Sequence, residues 1–264
     1  MQLEIDLTKS VDENASHYFE LSKKAKKKLQ GAKDALEDSK KKLQKLLKEE
    51  NKFLQEEQQR LEERLKTANR KKEWYEKFHW FISSNDFLCI GGKDATSNEI
   101  VIKKHMEKDD LVFHTEAPGS PFFIIKNGQN APQITIDECA QAVAVYSKAW
   151  KMGHTIADIF HVLPNQVTKE TKSGEFMGKG SFMIYGKTTH LHPKLEYAIG
   201  LLDNNIIAGP PSAIQKRTSQ FFIIIPGDEK KSDLAKKLKH KFGAGNLDDI
   251  ITFLPAGGAQ IKKI

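Results

Sequence analysis

Residues 74–99, WYEKFHWFISSNDFLCIGGKDATSNE, mark the place where the chain changes its hydrophobic period. Before them, apolar residues recur every three or four positions, the spacing of one helix face. After them, apolar residues come in short runs rich in β-branched and aromatic types, at 87–90, 100–102, 111–113, 122–125, 182–185 and 221–225. Gly, Pro, Asn or Asp bound these runs, which predicts strands. Between them, Thr135 with Glu138 has capping-box spacing and predicts a helix to about Met152, closed by Gly153; residues 230–242 predict another, stopped by Gly243. The expected fold class is α+β, a mixed or antiparallel sheet domain with flanking helices, preceded by a helical coiled-coil hairpin. The expected division is an N-terminal strand or linker at 1–13, a basic coiled-coil arm at 14–73, and an α+β domain at 74–264.

The arm rests on its seam. Ser10 and Glu13 have capping-box spacing, and Tyr18, Ala25, Leu29, Ala32, Leu36, Leu43 and Leu46 follow a three-four repeat interrupted by Ser22 and Ser39. Leu54, Leu61, Leu65 and Ala68 continue it, and KEENK at 48–52 is the most polar place for a reversal. A hairpin is the natural expectation, although neither Gly nor Pro marks the turn and one continuous helix remains the alternative. At about 1.5 Å per residue, the first helix reaches on the order of 50 Å. Ahead of it, Leu3, Ile5 and Leu7 alternate with polar residues, as a short strand does.

Composition narrows the classes. The chain has 264 residues, 39% of them hydrophobic, which suffices for one substantial core. Mean hydropathy is −0.54, and no apolar run approaches the roughly 18 residues of a membrane span. No membrane partner is expected, and the chain reads as cytoplasmic. Cys89 and Cys139 have no metal-ligand or redox spacing and read as buried thiols. The net charge of +7 is concentrated: residues 14–48 hold eleven lysines against four acidic residues, whereas 74–264 hold 23 basic against 20 acidic. That helix suits either a polyphosphate surface or a solvated helix face.

The candidate chemistry lies in Gly91-Gly92-Lys93-Asp94, Asn98-Glu99, and His114 with Glu116. A glycine pair at a strand end lets backbone amides approach a phosphate, and the lysine adds charge. The spacings of a P-loop or a dinucleotide fingerprint are missing, so a tight turn needing positive φ at Gly91 or Gly92 is the competing reading. His190 and His192 could face one side of a strand, but no further ligands complete a tetrahedral site, so neither metal nor cofactor is expected. A phosphate-handling or hydrolytic enzyme acting on a nucleotide or RNA through Asp94, Glu99 and His114 is the alternative function.

Nucleic-acid binding uses the same residues with fewer assumptions. Lys93, Lys103, Lys104, Lys126, Lys179 and Lys187 flank strand ends or glycines and would set cations around one rim. Trp74, Phe78 and Phe81 have the spacing of a packing stripe at the arm's root. His79 and Trp80 lie off it and are the surface candidates.

The order of these motifs resembles the RNA-binding half of the NFACT family: WYEKF, a WF-x-S turn, an apolar strand, then Gly-Gly-Lys-Asp and Asn-Glu. HTEAPGSPFFIIK at 114–126, YSKAW at 146–150 and VTKETKSGEFMGKGSFMIYGK at 167–187 are similar to further family segments. The resemblance implies an RNA-binding surface at Gly91, Gly92, Lys93, Asp94, Asn98, Glu99, His114, Gly119, Gly180 and Lys187; Trp80, Lys126 and Lys179 join it from the residues themselves. It also implies association with large ribosomal subunit rRNA and with tRNA in ribosome-associated quality control of stalled nascent chains, without catalysis. Two positions depart from the family: Lys93 stands where Arg is common, and Thr188-Thr189 where many relatives have Arg-Asn. The family's N-terminal domain and helix-hairpin-helix segment have no counterpart in these residues, so a separate protein supplying that N-terminal domain is expected as a partner if the chain is a natural full-length product.

Overall fold

The computed structural model describes residues 4–68, 73–117, 119–170 and 178–262. The chain divides into two compact units, Met1–Thr67 and Ala68–Ile264.

The first unit is dominated by α1 (Val11–Ala68). Its start is the expected capping box: the Ser10 backbone N–H donates to the Glu13 carboxylate at 2.8 Å and the Glu13 N–H to Ser10 Oγ at 3.3 Å. The expected reversal at 48–52 does not occur. Lys, Glu and Asn carry no large helix penalty, and without Gly or Pro nothing offsets the continuing backbone ladder. The 58 residues give a rod of about 87 Å. Within this unit the seam residues Leu29, Leu36, Leu43 and Leu46 are exposed. The strand expected around Ile5 and Leu7 is also absent over the described residues. Residues 4–10 are irregular, Ile5 and Leu7 are exposed, and Asp6 instead exchanges hydrogen bonds with Asn14 in the first helical turn. Leu3, and the side chains of Leu61, Leu65 and Ala68 from the second seam, lie outside the described residues.

The second unit is built on a six-stranded antiparallel sheet. Its strands are β1 (His79–Ile82), β2 (Leu88–Gly91), β3 (Leu111–Thr115), β4 (Phe123–Ile125), β5 (Ile159–Val162) and, at the far edge, one formed by Thr189–Leu191, in the order β1-β2-β4-β3-β5 and then that edge strand. Alternation decides the packing. Leu111 and Phe113 of β3, with Phe123 and Ile125 of β4, enter one core, while Val112 and Ile124 enter another on the opposite face. Both faces are covered, so these strands read as continuous apolar runs rather than alternating ones.

One expected strand is a helix. Residues 100–102 end α2 (Ala95–Ile100) and open a π-helical turn, Val101–His105, that lays buried Val101 and Ile102 on the second face. A three-residue apolar run does not separate a strand from a buried helical turn. The aromatic WYEKF segment forms a turn. Phe78 and Phe81 are buried in different cores, and Trp74 stacks on His105 at 4.4 Å.

The first face is covered by α3 (Gln133–Val145), followed after a break by α4 (Lys148–Lys151), whose N-cap is Ser147. Thr135 and Glu138 do not cap α3, which starts after Pro132; both are buried inside it. Glu138 accepts from the Ser84 N–H at 2.9 Å, tying the helix to the β1–β2 turn. A short ribbon pairs β6 (Val167–Thr168) with β7 (Met183–Ile184), and the edge strand already described is β8 (Thr189–Leu191). Then β9 (Tyr197–Leu202), β10 (Asn205–Gly209), β11 (Phe221–Glu229) and β12 (Ala259–Ile261) form a four-stranded antiparallel sheet ordered β10-β9-β11-β12, with α5 (Pro211–Gln215), α6 (Lys231–Phe242) and α7 (Leu247–Phe253) around it. Gly243, at φ 69°, ends α6 as expected. Tyr197, Ile199 and Ile224 share the α3 core, so both sheets and α3 form one packed body. Cys89 and Cys139 are free and fully buried within it, and burial pushes the Cys139 thiol up.

Candidate functional site

The turn after β2 is shaped by contact rather than by unusual backbone. Neither Gly91 nor Gly92 has positive φ. A Cβ on Gly91 would lie 2.2 Å from the Phe123 ring opposite it in register, and one on Gly92 would lie 2.0 Å from Asn98 Oδ1 and 2.6 Å from Asn98 N. The glycines let the β4 aromatic and the first turn of α2 close onto the strand end, which replaces the positive-φ reading. Asp94 is the N-cap of α2: its carboxylate accepts from Ser97 N–H at 2.7 Å, and Ser97 Oγ accepts from the backbone of Lys93 and Asp94 at 2.8 Å. Those hydrogen bonds hold the Asp94 carboxyl below its usual range. Asn98, in the next turn, accepts from Phe122 N–H through Oδ1 at 3.1 Å.

A distant segment closes over this turn. Gly180 has φ 77°, and a Cβ there would lie 2.5 Å from Ala95 O, so the loop carrying Lys179 packs directly on the start of α2. Its N–H donates to Glu99 at 3.3 Å, and Glu99 also meets Lys103 at 2.6 Å and Lys169 at 3.7 Å. His114 forms the opposite wall. Its Nδ1 lies 2.5 Å from Thr115 O and its Nε2 3.1 Å from Ser120 Oγ, which fits a neutral ring donating through Nδ1 and accepting from the serine hydroxyl. Burial pulls its pKa down. Asp94, Glu99 and His114 thus each hold a loop or helix end in place, and nothing in this geometry supports the enzyme alternative.

Together these elements enclose a cavity of about 550 Å³. Gly92, Lys93, Asp94, Asn98, His114, Gly119, Lys179 and Gly180 line it, which unites eight of the thirteen expected site residues from three separate segments. Lys93 and Lys179 are exposed at its rim, and the Lys148 side chain lies across Gly119. Residues that motif reading did not place here complete the wall. His79 stacks on Tyr146 at 3.7 Å between ring centroids, and Phe122, Phe160 and Phe182 line the apolar side. Burial, with Lys93 and Lys231 adding to it, holds His79 neutral with a pKa of about 3. Alternation along His79-Trp80-Phe81-Ile82 is the one signal that could have assigned His79 to a strand face, and nothing local pairs it with Tyr146.

Five expected residues lie outside the lining. Gly91 and Glu99 support it from behind, as described. Trp80 packs against Tyr75 at 5.0 Å and Phe253 at 6.1 Å. Lys187 is exposed beyond the β6–β7 ribbon, where its carbonyl accepts from Gln166. Lys126 is a structural cation: its ammonium meets fully buried Asp110 at 2.8 Å and donates to His105 O at 2.8 Å. His190 and His192 face Glu116 and Asp158 separately. Among the described residues no cluster of three metal-ligating side chains forms, and no helix is long and apolar enough to cross a membrane. Residues 171–177, the first part of the SGE-type motif, lie outside the described residues.

The family model for the NFACT protein RNA binding domain matches residues 77–186, the stretch that holds this closed Gly-Gly-Lys-Asp turn and the cavity lining. Those residues are similar to that domain of the NFACT family. It is 37% identical over 206 residues to the archaeal Rqc2 homolog aRqcH of Methanocaldococcus jannaschii, covering 75% of this chain and 31% of that protein. It is 40% identical over 134 residues to the ribosome quality control complex subunit NEMF homolog of Drosophila melanogaster, covering 50% of this chain and 13% of that one. Against the NEMF subunit of Homo sapiens it is 40% identical over 126 residues, covering 47% and 12%. The chain therefore spans under a third of the length of these relatives.

Proposed function

We propose that the chain is an RNA-binding module that associates with the large ribosomal subunit and tRNA in ribosome-associated quality control, acting in the cytoplasm. The observation that carries this reading is the cavity: segments far apart in sequence converge on one concave site with lysines at its rim and aromatic rings in its wall, and the family match spans most of its lining. Phosphate contacts need cations along a concave path, and RNA recognition needs flat rings beside them. The names of the relatives supply the quality-control setting. In this reading residues 74–264 bind RNA, and the lysine-rich helix within 14–73 is a docking arm for a polyanionic surface.

Co-sedimentation of the purified chain with separated ribosomal subunits tests it. The expected result is retention on large subunits that weakens as salt rises, with the Lys93→Glu, Lys179→Glu double variant released at lower salt than the wild type. Absence of any subunit association at low salt would remove the reading.

A further inference from the structure

Two polar groups in the cavity wall have chemistry that the fold itself does not use. Asn98 is only 9% exposed, and its amide orientation is settled because Phe122 N–H can only donate, so the acceptor beside it is Oδ1. Its Nδ2 has no hydrogen-bond partner among the described residues. His79 is neutral, so its ring holds one donor and one acceptor, and neither ring nitrogen has a partner among the described residues. Both groups line the cavity, where their unused donor and acceptor are within reach of a ligand.

The rest of the wall states what that partner looks like. Phe122, Phe160 and Phe182 offer an apolar side, and the stacked His79–Tyr146 pair offers a planar one. The Tyr146 hydroxyl points elsewhere, donating to Phe253 O at 2.8 Å, which leaves its ring rather than its oxygen to the cavity. Lys93 and Lys179 stand at the mouth. The requirement is a flat ring with mixed donor and acceptor edges, attached to an anion that stays outside. At about 550 Å³ the cavity lies within the usual range for one small ligand, and its concave form does not admit a base-paired helix.

We propose that this cavity captures one unstacked nucleotide of single-stranded RNA, its base against the aromatic wall and hydrogen-bonded by Asn98 and His79, its phosphate at Lys93 and Lys179. This rests on the RNA-binding reading above and makes it specific: the domain recognises an unpaired end or loop rather than the surface of a duplex. Extruded bases are the usual target of sequence-sensitive RNA contacts, because paired bases hide their edges in the A-form helix.

The test is fluorescence anisotropy of the full chain with one RNA hairpin made blunt and the same hairpin with a short single-stranded 3′ overhang. The overhang RNA is expected to bind about tenfold or more tightly, the scale of a stacked base. Asn98→Asp keeps the acceptor for Phe122 N–H and loses the donor; His79→Phe keeps the stack and loses the polar edge. Each is expected to reduce overhang binding about tenfold, near the worth of one hydrogen bond to a buried group, and so to narrow the difference between the overhang and blunt hairpins. A 4-thiouridine placed in the overhang is expected to crosslink to the peptide containing Phe122 or Phe182, which keeps the proposal testable if a variant misfolds. Equal binding of the two hairpins, or crosslinks elsewhere, overturns the proposal and leaves RNA binding standing. Adenosine monophosphate competing as well as the overhang RNA would assign the cavity to a free nucleotide and also overturn it. No binding of either hairpin at low salt instead removes the underlying RNA reading.

Discussion

Substituting Gly92 by alanine separates a packing role from a backbone role. Because φ at Gly92 is not positive, alanine meets no backbone strain there. The cost arises from its Cβ, 2.0 Å from Asn98 Oδ1, 2.6 Å from Asn98 N and 2.8 Å from Asn98 Cα. Two of those atoms are backbone in the first turns of α2, so no side-chain rotation relieves the overlap and the helix start must move. Overpacking of this kind costs about 1–3 kcal/mol. Moving Asn98 also breaks its bond to Phe122 N–H, leaving buried polar groups unpaired at about 1–3 kcal/mol more. The sum is about 2–6 kcal/mol, equivalent to roughly 4–24 °C in the melting temperature of a domain of this size. Urea unfolding followed by tryptophan fluorescence measures it, since all three tryptophans, Trp74, Trp80 and Trp150, lie in the second unit. A Gly92→Ala change within about 0.5 kcal/mol of wild type would refute the close-approach argument and with it the account of the turn.

Three further outcomes are expected. His79 titrates near 3 in the folded chain and near 6.5 when unfolded, so the unfolded chain binds the extra proton; stability present above pH 6.5 is lost as pH falls towards 3, by at most about 1.4 kcal/mol per pH unit from this residue. His79→Phe is expected to flatten the acid limb of a urea-midpoint against pH plot, and an unchanged limb would show that His79 is not buried neutral. Lys126→Met leaves Asp110 buried without its cation, and is expected to destabilise by about 3–5 kcal/mol without changing the salt slope of RNA binding; the reverse pattern would make Lys126 an RNA contact. Deleting residues 1–70 is expected to leave one cooperative unfolding transition in calorimetry while weakening ribosome association, and loss of that transition would move the domain boundary.

Legibility followed locality. The α1 cap, strands β3 and β4, and α6 with its terminal glycine depend on neighbours in the chain, and the sequence pattern shows them. The run at 100–102 was misread because three buried apolar residues satisfy either a strand or a helical turn. Thr135 and Glu138 have capping spacing, yet their partners are Ser83, Ser84 and Ser212, far away in the chain. Most of the second sheet was missed for the same reason: Tyr197 and Ile199 of β9 pack into the core shared with α3, far away in the chain. In the site, the Gly-Gly-Lys-Asp turn and His114 stood out, and the resemblance brought in Gly119 and Gly180. Lys126 looked identical to the rim lysines, because sequence does not reveal that a buried aspartate takes its charge. His79 and Tyr146 meet only through the tertiary fold, 67 positions apart.

The central claim, that the cavity with its lysine rim is where RNA binds, is tested most directly by the salt dependence of RNA affinity in the wild type and in the Lys93→Glu, Lys179→Glu double variant. Each phosphate neutralised by a lysine contributes close to one unit of slope when log affinity is plotted against log salt, about 0.7 for a single strand. The account predicts that the wild type binds at low salt and that the double variant loses affinity, with its slope shallower by about 1.4–1.8 if each lysine neutralises one phosphate. Equal slopes and affinities in the two proteins, both folded by circular dichroism, would contradict it.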